Sequence, residues 1–300
     1  MLFSITLRIT VVMKVKFFKM HGLGNDFIMI EDLEKKLEDP QKLAVTLCDR
    51  HFGIGADGII LIQKTDLTDA DFKMRIFNPD GSEAEMCGNG IRCFAHYLHI
   101  KNLTEKKKLK IETLAGIIKP EIIDYGAHES TVKVNMGKPR YTLDSLNVNK
   151  ELINDKREHL WEYPIIIEGT EYKLNGVSMG NPHVVIYVDD LDDIELNKLG
   201  PTIENNPLFN KGTNVEFVKI INKKELDVKV WERGAGITLA CGTGACATAA
   251  VSIEQERVSN NVKINLPGGP LEISKNENNE MMMTGPSTFV FKGEIMTGGM

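Results

Sequence analysis

Apolar positions come in short blocks separated by polar and glycine-rich turns, and the blocks change period along the chain. Val15 to Phe18 and Phe27 to Glu31 read as strands on either side of the turn His21-Gly22-Leu23-Gly24-Asn25-Asp26. A helical pattern covers Gln41 to Arg50, and an apolar strand follows a glycine turn at Ile59 to Gln63. Phe72 to Phe77 alternates as a half-buried strand and stops at Asn78-Pro79-Asp80-Gly81, a clear turn signal. Cys87-Gly88-Asn89-Gly90 then leads into the helical pattern Ile91 to Ile100, and short strands run on through Met136. Beyond the midpoint, Val184 to Val188, Val215 to Ile220 and Leu226 to Trp231 read as strands, and Cys241-Gly242-Thr243-Gly244 opens a helix over Ala245 to Gln255. A last strand is predicted at Phe289 to Glu294.

The second half repeats the first. Cys87 and Cys241 each begin a Cys-Gly-x-Gly that opens a helix, 154 residues apart, while Asn25 and Asn181 each precede a strand, 156 apart. Asn78 stands nine residues before Cys87, and Glu232 nine before Cys241. Landmarks at nearly one offset indicate an internal duplication into two similar α/β domains that face each other. The division expected is 1–138 for the first half, joined by the final segment 288–300, and 139–287 for the second.

Composition adds boundaries. Three hundred residues with 42% apolar and 26% charged side chains describe a globular chain of about two domains, not a disordered, collagenous or coiled-coil one. The net charge of −6 and the absence of a basic stripe argue against a nucleic-acid partner. No apolar run reaches bilayer length, so no membrane partner is expected either. Residues 1–12 lack the charged start and small-residue cleavage site of a signal peptide and read as an upstream start or appended tail. Five cysteines without a CxxC pair make a poor disulfide framework, and zinc-type Cys/His spacings are missing. The expectation is a cytoplasmic protein with no metal site.

The duplicated cysteines carry the chemistry. Near a helix start, unpaired N–H groups and the positive end of the helix dipole favour an anion. The thiol pKa is therefore expected to fall, and neighbouring N–H groups, left open by the glycines, can hold a carboxylate. One such cysteine would ordinarily be a small buried residue at a tight turn. Two related by duplication would face each other across a cleft, one on each side of a single carbon. That arrangement suits removal of a proton from one face and its return to the other. Cys48, Cys93 and Cys246 lack this relationship, and the last two read as core.

Other candidates gain meaning from the same repeat. His183 and Glu232 could adjust the cysteine pKa values, and Arg233 could grip a distal carboxylate in fork geometry. Asn25, Asn78, Asn181 and Asn214 form a set of neutral hydrogen-bonding groups at strand ends. Gly53-Ile-Gly55-Ala-Asp-Gly58 matches GxGxxG but follows a helix and precedes a strand, the reverse of a dinucleotide site.

The chain from about Val15 to Glu294 resembles the diaminopimelate epimerases, cofactor-independent amino-acid epimerases of lysine biosynthesis. The resemblance rests on Lys19-Met-His-Gly-Leu-Gly-Asn-Asp-Phe27, Phe77-Asn-Pro-Asp-Gly-Ser82, Met86-Cys-Gly-Asn-Gly-Ile-Arg-Cys93, Gly180-Asn-Pro-His183, Trp231-Glu-Arg-Gly234 and Ala240-Cys-Gly-Thr-Gly244. It implies an α+β fold of two pseudo-symmetric domains, each a curved, mostly antiparallel sheet around a central helix, with the site in the cleft between them. It implies interconversion of LL- and meso-2,6-diaminopimelate, a small-molecule substrate, without a cofactor. By the resemblance, Cys87 and Cys241 are the acid/base pair, and Gly88, Asn89, Gly242 and Thr243 hold the reacting carboxylate. Asn25, Asn78, Asn181, Asn214, Glu232 and Arg233 would bind the rest of the substrate, and His183 and Glu232 would tune the thiols. Gly58 departs from the Gln that some members carry. A homodimer is left open. The alternatives are a proline or hydroxyproline racemase, which typically has His where Asn89 stands, and, more remotely, a thiol–disulfide redox protein. A pyridoxal-phosphate racemase is disfavoured, since no lysine stands in a recognisable Schiff-base context.

Overall fold

The computed structural model describes residues 13–153 and 155–297, so the expectation for residues 1–12 lies outside the described residues. The first half runs β1 (Met13–Gly22), β2 (Asn25–Glu31), α1 (Pro40–Cys48), β3 (Gly58–Gln63), β4 (Phe72–Phe77), β5 (Glu83–Ala84) and α2 (Gly88–Ile100). It continues through β6 (Ile111–Thr113), β7 (Gly116–Ile118), β8 (Pro120–Tyr125) and β9 (Glu129–Asn135). After two short 3-10 turns come β10 (Tyr163–Ile167), β11 (Thr170–Ser178), β12 (Pro182–Tyr187), α3 (Leu196–Glu204), β13 (Asn214–Asn222), β14 (Glu225–Glu232) and β15 (Gly236–Ile237). The chain ends with α4 (Gly242–Glu254), β16 (Asn261–Leu266), β17 (Gly269–Lys275) and the long β18 (Met281–Thr297).

The duplication read from cysteine spacing is repeated in the hydrogen bonding. β1 pairs antiparallel with β2, β2 parallel with β3, β3 antiparallel with β4, β4 parallel with β6 and β6 antiparallel with β7. β11, β12, β13, β14, β16 and β17 pair in the same succession of directions. Helices α1 and α3 each fill the parallel crossover between the second and third of those strands, and the two-residue β5 and β15 each precede the central helix. Strand β18 ties the halves together: Met281 to Thr284 pair with β17, while Met282 to Thr288 pair with β9 on the other side. Its remaining length pairs with β1, up to Met13 opposite Thr297.

Each central helix is buried nearly all round because strands wrap it, and so has almost no solvent face. In α2 every residue from Gly88 to Leu98 is buried, and in α4 all but Thr243 from Gly242 to Ile253. Phe94 is fully buried, so its truncation to alanine should cost about 3–5 kcal/mol.

Two features were not anticipated. Helix α2 begins at Gly88, three residues before the predicted start, because the glycines belong to its first turn. Helix α3 went unread because Gly200 and Pro201 interrupt its pattern. Its stripe of Leu196, Leu199 and Ile203 is nonetheless buried. Gly200 is required there, since a Cβ would lie 2.4 Å from the Trp231 ring. Packing has overridden helix propensity.

Candidate active site

Cys87 and Cys241 are the N-cap residues of α2 and α4. Both have extended backbones, φ −138° and ψ 123° for Cys87, φ −112° and ψ 111° for Cys241. The Cys87 sulfur accepts from the Gly90 N–H at 3.4 Å and the Cys241 sulfur from the Gly244 N–H at 3.3 Å. Each thiol thus takes the capping position usually held by Ser or Asp.

The two helix starts abut. A methyl group on Gly242 would lie 3.7 Å from the Gly88 Cα, and the Met283 side chain packs against both glycines. A side chain at either position would first meet the methionines, a Cβ on Gly88 lying 3.0 Å from the Met283 methyl carbon and one on Gly242 lying 3.2 Å from its sulfur. Asn89 Nδ2 donates across the junction to the Ala240 carbonyl and also to Asn25 Oδ1, each at 3.1 Å. Asn25 Oδ1 further accepts from Cys87 Sγ at 3.6 Å, and Asn25 Nδ2 donates to Asp57 at 2.8 Å. Asn25, Cys87, Asn89 and the loop before Cys241 therefore meet at one place.

The expectation of lowered thiol pKa values is corrected. Burial pushes the Cys87 thiol up, against hydrogen bonds from the Gly90 and Asn89 N–H groups that hold it down. Cys241 lies well above the ordinary value, raised first by burial and then by the Glu232 and Glu216 carboxylates. Removing water from a thiolate costs more here than the helix-start N–H groups return. Cys93 and Cys246 are core residues, each pushed up to about 12 by burial.

His183 has no direct hydrogen bond to Cys241. Its Nδ1 lies 2.7 Å from Glu216 Oε1, and its Nε2 lies 3.0 Å from Asn181 Oδ1. Asn181 Nδ2 donates to Thr243 Oγ1 at 3.5 Å, and that hydroxyl is 3.4 Å from Cys241 Sγ. Glu216 escaped notice in the sequence, although a single acid inside the apolar run Val215 to Val218 was the available signal. It is wholly buried, its pKa is raised by that burial, and Oε2 has no hydrogen-bond partner. Its Oε1 and the Cys241 sulfur are both within 3.3 Å of one point, the place a Cβ on Gly244 would occupy. Asp57, which accepts from the Asn25 amide and pairs with Arg50, carries no local signal in the sequence.

The remaining candidates divide. Glu232 bears on both thiols by charge and accepts from Thr238 Oγ1. Arg233 is exposed, bonds the Lys211 carbonyl at 3.2 Å, and has no carboxylate within 4.0 Å among the described residues. Asn214 uses its amide on backbone, donating to the Pro182 carbonyl at 2.8 Å and accepting from the Arg233 N–H at 2.9 Å. It ties the loops carrying His183 and Arg233 together. Asn78 donates to Ser82 Oγ at 2.9 Å and closes its own turn, with no hydrogen bond to either cysteine. Gly58 opens β3, where a Cβ would lie 2.8 Å from the Phe77 carbonyl oxygen, so this backbone excludes a side chain.

The fold is shared with a phenazine biosynthesis protein of the PhzF family from Bacillus anthracis, at TM-score 0.69 and 18% identity over 95% of this chain and 100% of that one. It is shared equally with a hydroxyproline epimerase from Agrobacterium vitis, at TM-score 0.66 and 13% identity over 94% and 92%. The protein is thus of the two-domain PhzF and proline-racemase fold class. The profile of the family described as Diaminopimelate epimerase matches residues 17–142 and 176–290. Diaminopimelate epimerases from Halothermothrix orenii and Acetivibrio thermocellus are 50% and 46% identical, over 95% and 94% of this chain and 99% and 98% of their own lengths. The chain belongs to the diaminopimelate epimerase family.

Proposed function

We propose that the protein interconverts LL- and meso-2,6-diaminopimelate by proton transfer between two thiols at one α-carbon, a step of lysine biosynthesis. The observation that carries this reading is the pair of N-capping cysteines at abutting helix starts, with Gly88 and Gly242 in van der Waals reach. The substrate carboxylate is held by the helix-start N–H groups of Gly88, Asn89, Gly242 and Thr243. One cysteine, as thiolate, takes the α-proton, and the C–H electron pair passes toward that carboxylate, where two helix N-termini stabilise the growing charge. The other cysteine, as thiol, returns a proton to the opposite face and becomes the thiolate. Product release leaves the two thiols with exchanged protonation, ready for the reverse reaction or for re-equilibration with solvent. Raised thiol pKa values suit this cycle, because a more basic thiolate narrows the gap to the weakly acidic α-proton.

Glu232 and Asn25 support the reading as partners for an amino group, Asn181 as a neighbour of Thr243, and the exposed guanidinium of Arg233, bonded only to the Lys211 carbonyl among the described residues, as the anchor for the distal carboxylate. Asn78 and Asn214 belong to the same proposed substrate set, each also bonding within its own loop. The working units are 1–138 with 288–300, and 139–287. Five unpaired cysteines support a reducing compartment such as the cytoplasm, and sedimentation would test for a homodimer.

The experiment is α-proton exchange in heavy water without added cofactor, with LL-diaminopimelate and L-proline in separate tubes, followed by proton NMR. Deuterium entering diaminopimelate with meso product is the expected result, and exchange with proline alone would transfer the chain to the racemases. Cys87→Ala and Cys241→Ala should each abolish turnover while preserving the fold. Retention of more than a few per cent of activity by either would end the two-base assignment.

A further inference from the structure

The largest fully buried side chain of the protein is a cation, Arg92, one turn into α2. An arginine does not lose its proton in a protein, so its charge stays. Among the described residues it forms no ion pair, and no carboxylate is among its hydrogen-bond or charge partners. Its partners are neutral acceptors: the Pro286 carbonyl to Nε at 3.0 Å, the Gly88 carbonyl to Nη1 at 3.0 Å, Met283 Sδ to Nη1 at 3.7 Å and Asn89 Oδ1 to Nη2 at 2.9 Å. The groups that bear on it by charge are Cys87 and Cys93 on its own helix and Cys246 on α4.

The place is built for it. A Cβ on Gly22 of β1 would lie 2.8 Å from Nη2, and one on Gly285 of β18 would lie 3.4 Å from Nε. Two glycines thus leave the slot that the guanidinium fills. A buried charge without an opposite charge is strongly unfavourable unless something compensates it. The four neutral acceptors bond its N–H groups and leave its charge unneutralised, and the ionisable groups that bear on it are thiols, Cys87 at the helix start among them.

We propose that Arg92 is a positioning residue that supplies the fixed countercharge for the anions of the reaction, the Cys87 thiolate and the substrate carboxylate. It acts in two ways. Its charge lowers the free energy of an anion at the start of α2. Its bond to Asn89 Oδ1 fixes that amide, so that Nδ2 must face Asn25 and Ala240. The opposing charge at Cys87 is Glu232 of β14. On β1 and β18, Arg92 faces Gly22, Gly285, the Pro286 carbonyl and Met283. The inference rests on Cys87 being one of the two acid/base thiols.

The test compares Arg92→Lys, which keeps the charge, with Arg92→Gln, which removes it. The readouts are kcat and KM for diaminopimelate, and the pH midpoint of Cys87 alkylation by iodoacetamide, resolved by peptide mass. Arg92→Gln should lower kcat at least about tenfold and move the Cys87 midpoint up by about one pH unit, the effect of losing a nearby opposite charge. Arg92→Lys should keep the midpoint near that of the unaltered enzyme. A folded Arg92→Gln enzyme with an unmoved midpoint and kcat within about twofold overturns the proposal. So does an Arg92→Lys midpoint displaced as far as that of Arg92→Gln, and this comparison with the unaltered enzyme stands even if Arg92→Gln does not fold. Turnover surviving in Cys87→Ser would instead defeat the acid/base reading, since the alkylation midpoint reports Arg92 independently.

Discussion

Asn89 Nδ2, in the first turn of α2, donates to the carbonyl oxygen of Ala240, 3.1 Å away and directly before Cys241. One side chain of the first half thereby fixes the backbone that presents the thiol of the second. The two cysteines are held in register by a single amide, and Arg92 determines which way that amide faces.

Glu216 and His183 form a buried pair behind Cys241. Removing the imidazole in His183→Ala leaves a buried carboxyl without its hydrogen-bond partner, and such a loss costs about 1–3 kcal/mol, measurable by urea unfolding. Glu216→Gln keeps the volume and a hydrogen-bonding group but removes a charge that raises the Cys241 pKa. The alkylation midpoint of Cys241 should then move to lower pH. A midpoint unchanged in a folded variant would mean that the carboxyl does not act on the thiol.

Stability should fall on the alkaline side. Burial raises Cys93 and Cys246 from 9.0 to about 12 in the folded chain. Because the folded state holds these protons more tightly than the unfolded state, their contribution is complete below about pH 9 and is lost as pH climbs toward 12. The urea midpoint should be insensitive to these thiols near neutrality and decline above about pH 9. In Cys246→Ala the alkaline slope should be shallower; an identical slope would assign the decline to other groups.

If Arg233 is the proposed anchor, Arg233→Ala should raise KM for diaminopimelate about tenfold or more with a smaller change in kcat, since a charge-assisted bond to a distal carboxylate would serve ground state and transition state alike. Initial rates across substrate concentration decide this, and an unchanged KM removes Arg233 from the substrate contacts.

Gly58→Gln should destabilise rather than add a contact. The Cβ would stand 2.8 Å from the Phe77 carbonyl oxygen in a paired strand. The backbone must shift, at about 1–3 kcal/mol. A melting temperature equal to that of the unaltered enzyme, with tighter substrate binding, would show that the strands yield more easily.

Strand positions such as Phe72–Phe77 and the two central helices were readable because alternation and helical spacing are local properties of the chain. Helix α3 was hidden because its glycine is explained only by Trp231, thirty-one residues away. Asn78 and Asn214 stand in the sequence as candidate substrate groups, and only the tertiary structure shows that their amides also bond Ser82, Pro182 and Arg233.

By itself the amino-acid sequence determined the duplication, the paired Cys-Gly-x-Gly helix starts and the family, because spacing and motif identity survive without coordinates. Tertiary structure decided the charge state of the site. Whether a helix-start cysteine ionises readily depends on the water removed around it and on groups brought in from other strands. Here burial outweighs the helix-start N–H groups and raises both thiols. The placement of Glu216 beside one cysteine and Arg92 beneath the other arises from long-range pairing of β13 and β18 with their neighbours. Local pattern carries no record of which side chains such pairing will bury together.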